Sequence, residues 1–516
     1  TGDRIITTEL RDANGDLISR NRVTEREFPW GRGAYIKEVQ DVGGFELTTT
    51  REYYTDPAEV GRYGNKKSEL RPDGSWETYD YDAEGRMIQK VEPWMDSPFG
   101  SSAEQAKETT YDYAPVDSND TPDVQDSRAR TTIVKVLGVE TERTYNAYFT
   151  NSNTGEYTEI EERTTVQGAV YGDNTNLRTT RFYYASDAGV ASAGRLKRVS
   201  NPNGVVMLYS YSQADAQSDF IETIDQVALH QVIYPDDPDL GDPLVLTNEP
   251  VANKSTRTVK TSDSRGNLIR AESYVFDGTD WQLFSTTQQE FSSEISAKGF
   301  QLTKRIKDGR TVLDQSWFGA LVGGRTDESG SEFIYSYDLL DRLEMEIKVG
   351  AGGREDIITT YDRDLGALDC GCDGAQSKQR TAGGITLTSV AKTDSAGRRS
   401  EVTDENGYTT TYSYVDDQRV TTRTAPDGTT RITENYLDGR IKSITGTGVI
   451  PEYYTYNVNA DGTTTTRVEI ASQGSPRFRE TTFDPAGRLR REESPTFTGG
   501  TFIRTMEYNY FGLLEK

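Results

Sequence analysis

One seven-residue pattern recurs along this chain and limits what the chain can fold into. Tyr81-Asp82-Ala83-Glu84-Gly85-Arg86-Met87 returns as Tyr337-Asp338-Leu339-Leu340-Asp341-Arg342-Leu343 and again as Phe483-Asp484-Pro485-Ala486-Gly487-Arg488-Leu489. A copy one residue longer opens at Tyr361-Asp362 and runs through Gly366 to Leu368. Looser relatives centre on Gly15, Gly266, Gly397 (before Arg398) and Gly439 (before Arg440), and Tyr508 to Leu514 repeats the pattern once more. Each unit reads as a hairpin turn. An aromatic closes one strand, and Asp accepts a backbone N–H two residues on. Gly takes the left-handed conformation that a side chain resists, and an apolar residue opens the returning strand.

A second set of turns, Pro72-Asp73-Gly74, Asn203-Gly204, Asn406-Gly407, Pro426-Asp427-Gly428 and Asp461-Gly462, lies between the first. From 405 to 445 the two sets alternate about every ten residues, the spacing of an antiparallel meander. Leu343, Met345, Ile347 and Val349 share one face of a strand, and Glu344, Glu346 and Lys348 the other. The pattern predicts an all-β fold of roughly 40–50 strands, with positive φ at Gly85, Gly397, Gly439 and Gly487. One continuous array over 1–516 is expected, densest in repeats over 331–516 and less regular over 110–330. Only 218–233, with Phe220, Ile224, Val227 and Ala228 near a 3.6-residue period, reads equally well as helix.

Composition supports strands without one large core. The 516 residues are 34% apolar; with glycine added and tyrosine left out the share is about 37%, below the ~45–50% usual on that convention. Stability then rests on cross-strand pairs, and a hollow, partly polar interior would account for the deficit. The net charge of −25 argues against nucleic acid, whose phosphates require clustered Lys and Arg. No apolar run is long enough for a membrane span, so no membrane insertion is expected. The chain starts at Thr1 rather than Met, which reads as an excised or processed piece.

Tyr-Asp-x-x-Gly-Arg-Leu units in a Thr- and Tyr-rich β chain resemble the YD-repeat, or RHS-repeat, family. That family spans bacterial polymorphic toxins, shell components of insecticidal toxin complexes, wall-associated proteins and teneurin ectodomains. The resemblance implies a long sheet wound spirally into a hollow β-shell, or an open spiral sheet. It also implies an extracellular or cell-surface location. Partners would be the rest of a longer chain, an encapsulated polypeptide, or a surface glycan or protein. Members of the toxin branch carry a terminal Asp-Pro-x-Gly-Leu segment linked to self-cleavage. Asp484-Pro485-Ala486-Gly487 is close to it, but Arg488 precedes Leu489 here and Phe483-Asp484 keeps the Tyr-Asp register, so it reads as an ordinary repeat.

Little else suggests chemistry. His230 is the only histidine, with no nucleophile elbow beside it, so a His-based triad or metal site is not expected. Cys370-Gly371-Cys372 reads as a tight turn in a variant repeat. A local disulfide between Cys370 and Cys372, or a soft metal shared with Asp369 and Asp373, are alternatives. Calcium at 117–120 or 236–239 is chemically possible, although neither stretch is an EF-hand loop. Nothing among 83 acids selects the pair a glycosidase needs. Trp30, Trp76, Trp94, Trp281 and Trp317 could form glycan platforms or simply pack. The expectation is a structural protein with no catalytic residues and no cofactor. The alternatives are an adhesin, a toxin-enclosing shell and, last, a carboxylate-based enzyme acting on glycans.

Overall fold

A computed structural model describes residues 2–11, 17–31, 33–120, 127–189, 191–215, 217–228, 250, 252–293, 300–339, 341–352, 354–362, 374–415, 418–496, 499–509 and 512–515. His230, Gly15, Gly366, Cys370, Cys372 and the acidic stretch 236–239 lie outside them. The described residues form one sheet of 36 strands, numbered in chain order from β1 (Asp3–Arg11) to β36 (Thr501–Thr505). Each strand pairs antiparallel with the next, in an unbroken meander from the β1 ladder to the β36 ladder. Helical residues among those described are 3-10 only, at Ala103–Gln105 and at Gln418, and none of their helices is long and apolar enough to cross a membrane.

Among the described residues several strands are longer than the repeat spacing suggests. Leu17–Glu27 and Trp281–Phe291 have 11 residues each and Val139–Thr150 has 12. The segment 218–233 is not helical in its described part. Phe220–Ala228 is β15, bonded on one side to β14 (Val205–Ser212) and on the other to β16 (Thr256–Ser262). Ile221, Thr223, Ile224 and Val227 are β-branched, stiff at χ1 and suited to a pleated surface, and two flanking ladders outweigh an approximate 3.6-residue period.

There is no single core. Trp76, Val91 and Ala106 are buried together with Leu70 packed against them. Among the described residues no apolar side chain between 228 and 443 is fully buried. Charge ladders run across the strands instead. Glu69 meets Arg51, Lys66 and Arg71, Arg71 continues to Glu77, and Lys90 links Glu77 to Glu92, which meets Lys107. The row crosses five consecutive strands with alternating sign. Burial raises the carboxyl pKa of Glu77, but its bonds from Tyr79 and Lys90 prevail and hold it at about 2.

The sheet is not closed by ladder hydrogen bonds, yet it returns on itself. The turn between β3 (Gly33–Gln40) and β4 (Leu47–Tyr53) meets the turn between β26 (Ile385–Thr393) and β27 (Arg399–Thr403). There Ser395 Oγ donates to Asp41 Oδ2 at 2.6 Å across 354 residues. The loop between β7 (Met87–Glu92) and β8 (Lys107–Asp112) meets the turn between β30 (Thr430–Asn435) and β31 (Ile441–Thr445). There Met95 N–H donates to Asp438 Oδ2 at 2.5 Å across 343 residues. The turn at Gly462, between β32 (Glu452–Val458) and β33 (Thr464–Ile470), lies against Glu140 and Gln167. Asp41 and Met95 meet their partners 23 strands further on, and so does Glu140 at the start of β10 (Val139–Thr150), whose turn from β9 (Thr131–Val136) faces the β32–β33 turn. A flat run of 23 strands would span about 110 Å at the ~4.8 Å interstrand spacing, so these contacts require the ribbon to bend back.

Truncating Trp76, which is 0% exposed, to alanine is expected to cost about 3–5 kcal/mol. Because the ladders of each strand run only to its neighbours, the loss should be concentrated near Trp76. Hydrogen exchange should rise in 66–112 and stay unchanged in 374–415; uniform loss of protection would contradict this.

Candidate functional site

The repeat turn is built around one carboxylate. Asp82 Oδ1 accepts the backbone N–H of Glu84 at 3.1 Å and of Arg86 at 2.8 Å, while Oδ2 accepts Arg86 Nε at 2.7 Å. The main chain closes the loop through Gly85 N–H to Asp82 C=O and Asp82 N–H to Arg86 C=O. Asp338 with Arg342, Asp394 with Arg398, and Asp484 with Arg488 repeat the side-chain clasp at 2.7–2.8 Å. Gly85, Gly397, Gly439 and Gly487 stand at φ +81°, +78°, +82° and +77°, and Asp341 takes the same position at +61°. In each of these hairpins the ladder shifts register at the end of the first strand, between Asp80 and Tyr81, between Ser336 and Tyr337, and between Thr482 and Phe483. This is a type I turn closed by a left-handed bulge residue, which preserves the strand twist. In the variant turn Tyr436 occupies the Asp place, and Asp438, two residues on, takes Arg440.

A second interaction joins successive units and was not anticipated from the motif. The turn arginine lies under a tyrosine of the following unit. Arg86 sits 4.3 Å from the Tyr113 ring, Arg398 4.5 Å from Tyr414, Arg440 4.1 Å from Tyr456 and Arg488 4.7 Å from Tyr508. The same tyrosine donates its hydroxyl to the carbonyl of the residue after that arginine: Met87, Arg399, Ile441 and Leu489, at 2.8–3.1 Å. Charge, ring and hydroxyl thus tie each turn to the next. Arg398 to Tyr414 and Arg440 to Tyr456 share one sequence spacing, a signal that was legible. Burial raises the pKa of Tyr113, Tyr414 and Tyr456, so the hydroxyls stay protonated as donors.

Where the ribbon returns, the turn residues make side-chain contacts. Arg398 stacks 4.3 Å from Phe45, and Arg440 lies 3.6 Å from Trp94. Asp96 pairs with Lys442 at 3.1 Å and with Arg419 at 3.7 Å. Arg398 and Arg440 therefore each serve a turn Asp, the next tyrosine and an aromatic of the facing turn at once, which a flat, polarisable guanidinium can do.

Tyr361 and Asp362 end β24 (Ile357–Asp362). Asp120 is clasped by Arg130 at 2.7 Å, with both side chains at most 1% exposed, so its carboxylate is committed. Among the described residues no group of three or more His, Cys, Asp or Glu converges. Every Asp or Glu among them whose titration is clearly displaced moves down, as Asp3, Glu69, Glu77, Asp82, Glu92 and Asp263 do. A general acid needs the opposite shift. The tryptophans are taken up in packing: Trp30 on Phe28, Trp76 in the interior, Trp94 on Arg440, Trp281 on Arg257, and Trp317 bonded to Leu302 C=O.

At Asp82, burial raises the pKa but the backbone and side-chain bonds from Arg86 outweigh it, and the net shift is downward. A lowered carboxyl contributes stability that is present above its unfolded value, near 3.8, and is lost as pH falls through the folded one. Thermal melts should therefore weaken below about pH 4, and Asp82→Asn should flatten the dependence. Gly397→Val, which forces a β-branched residue to φ +78°, should destabilise by about 1 kcal/mol or more. An unchanged melt would refute this account of the turn.

Residues 394–430, the Asp394 turn and the strands that follow, match the RHS Repeat family. No curated protein matches the chain. Similar solved structures include TcdB2-TccC3 (11% identity, TM-score 0.27) and TcdB2-TccC3 without its hypervariable C-terminal region (12%, 0.32). A third is the Tc holotoxin pore of Photorhabdus luminescens (10%, 0.18). These comparisons cover 97–99% of this chain and 32–35% of the solved chains, so the chain spans about a third of their length. The matched stretch at 394–430 is similar to an RHS repeat, and its Asp–Gly–Arg turn is of the same kind as those at Asp82 and Asp484.

Proposed function

We propose that this chain is a structural wall: a non-catalytic, spirally wound β ribbon that encloses a polar lumen outside the cell. The observation that carries this reading is the return of the ribbon after 23 strands through turn contacts rather than ladder hydrogen bonds. At ~4.8 Å per strand the contour is about 110 Å, giving a mid-wall diameter of roughly 35 Å. Side chains on the inner face leave a lumen of about 25 Å. The scarcity of buried apolar side chains supports it, since both faces of such a wall stay hydrated. A space of that width suits an enclosed polypeptide, supplied by the rest of a longer chain or by a partner. The extracellular placement is part of this proposal.

An adhesive role for the outer strand faces is the second reading. It is favoured by Leu283 and Phe284, 55% and 78% exposed, beside Arg270 and Asp308 in an open pocket of about 380 Å³. Phe284→Ser should abolish surface binding if that reading holds.

Solution scattering tests the wall. A compact globule of this length has a radius of gyration of roughly 24 Å. A wound wall should exceed that value and show a pair-distance distribution skewed to long distances. A value near 24 Å with a compact profile would rule out the lumen.

A further inference from the structure

We infer that Tyr157 and Tyr183 form an oxidative cross-linking site, where a peroxidase fed with a hydroperoxide joins the two rings and Glu159 takes their protons. The two residues stand directly opposite each other on β11 (Tyr157–Arg163) and β12 (Leu177–Tyr183). Their ring centroids are 5.5 Å apart, with the planes inclined at 45°. Both hydroxyls donate to one carboxylate, Tyr157 to Glu159 Oε1 at 3.3 Å and Tyr183 to Glu159 Oε2 at 3.0 Å. Arg128 Nη1 donates to the same Oε1 at 2.9 Å. Two phenols anchored on the two oxygens of one carboxylate carry the adjoining ring carbons to the same side. Those carbons are where phenoxyl radicals couple.

Other neighbouring tyrosines are arranged differently. Tyr184 with Tyr211 and Tyr436 with Tyr456 lie 6.2 and 6.0 Å apart, edge to face at 73° and 77°. Their hydroxyls go to separate main-chain carbonyls: Tyr184 to Tyr209 and Tyr211 to Leu196, Tyr436 to Tyr454 and Tyr456 to Ile441. Each ring of those pairs is held with its reactive edge turned to its own carbonyl. At Glu159 the edges share one acceptor, and both rings are half-buried, so a small oxidant reaches them.

Burial, reinforced by the Glu159 carboxylate, raises the pKa of both phenols, that of Tyr183 to about 12. Both are therefore protonated when oxidation begins. Each ring gives one electron to the oxidant and its hydroxyl proton to the Glu159 oxygen it touches, from which the proton passes to water. The two radicals form one C–C bond between the carbons beside the phenol oxygens. The hydrogens on those carbons leave as protons and the oxygens are reprotonated, so both rings end as phenols. The two electrons, with two protons, break the O–O bond of one hydroperoxide, and hydrogen peroxide becomes two waters. The protein loses two hydrogen atoms in all. The new bond closes the end of the β11–β12 hairpin remote from its loop. The two cysteines stand two residues apart, so no disulfide within the chain can join distant strands in this way.

The full chain, treated with a haem peroxidase and limiting hydrogen peroxide, should yield a monomer lighter by two hydrogens that shows biphenol fluorescence. Trypsin should release residues 144–163 joined to 182–195 through Tyr157 and Tyr183. Tyr183→Phe should abolish that link with the circular dichroism spectrum unchanged. Glu159→Gln keeps a hydrogen-bond acceptor but takes no proton, and should slow the link about tenfold or more. An unchanged rate in Glu159→Gln overturns the proposal, as does the absence of any link. So does a first link that forms between molecules, at another tyrosine pair, or from Tyr157 to Tyr148, which stacks on it at 6.4 Å.

Discussion

The clasp of one aspartate on its own turn is the interaction on which the rest depends. A meander of 36 strands needs a reversal after each strand, and a tight one leaves backbone N–H groups without ladder partners. Asp82, Asp338, Asp394 and Asp484 satisfy two such groups or hold the turn arginine, often both. The carboxylate thereby fixes the arginine, the arginine fixes the next tyrosine, and the tyrosine hydroxyl returns to the main chain. Order passes from turn to turn along the rim, without a core to organise it.

That arrangement explains how a chain this polar folds. Cross-strand pairs contribute only ~0.2–1 kcal/mol each, and isolated surface ion pairs less. The charges here are not isolated. The row from Arg51 to Lys107 gives each acid at least two cations, one of them across a ladder for Glu69, Glu77 and Glu92, so one side chain's lost freedom serves two contacts. The low pKa of Glu77 records the result. Summed over 35 ladders, modest terms suffice, and both faces of the sheet can remain polar.

The coil contact is of a different kind. Among the described residues no ladder crosses it. It consists of two guanidinium–ring stacks, a few carboxylate bonds and leucine on glycine. Such a contact is weaker than the ribbon it joins and is specified by single side chains at turn tips. The same turn therefore serves as a hairpin when uncovered and as an interface when a coil lies above it.

The sequence by itself determined the strands and their turns. Period-two alternation and Asp–Gly spacing are local properties, set within a dozen residues, and they place the hairpins from Tyr81 to Leu489 and the positive φ at Gly85 and Gly487. It was ambiguous at Phe220–Ala228, where a local pattern fits two periods and only the ladders on either side decide between them. The return after 23 strands was not legible in it. Which turn meets which depends on twist and bend accumulated over the whole ribbon. Ser395 and Asp41 are 354 residues apart and belong to no common motif. Arg440 looked like a turn residue in the sequence, and only the folded ribbon brings Trp94 over it.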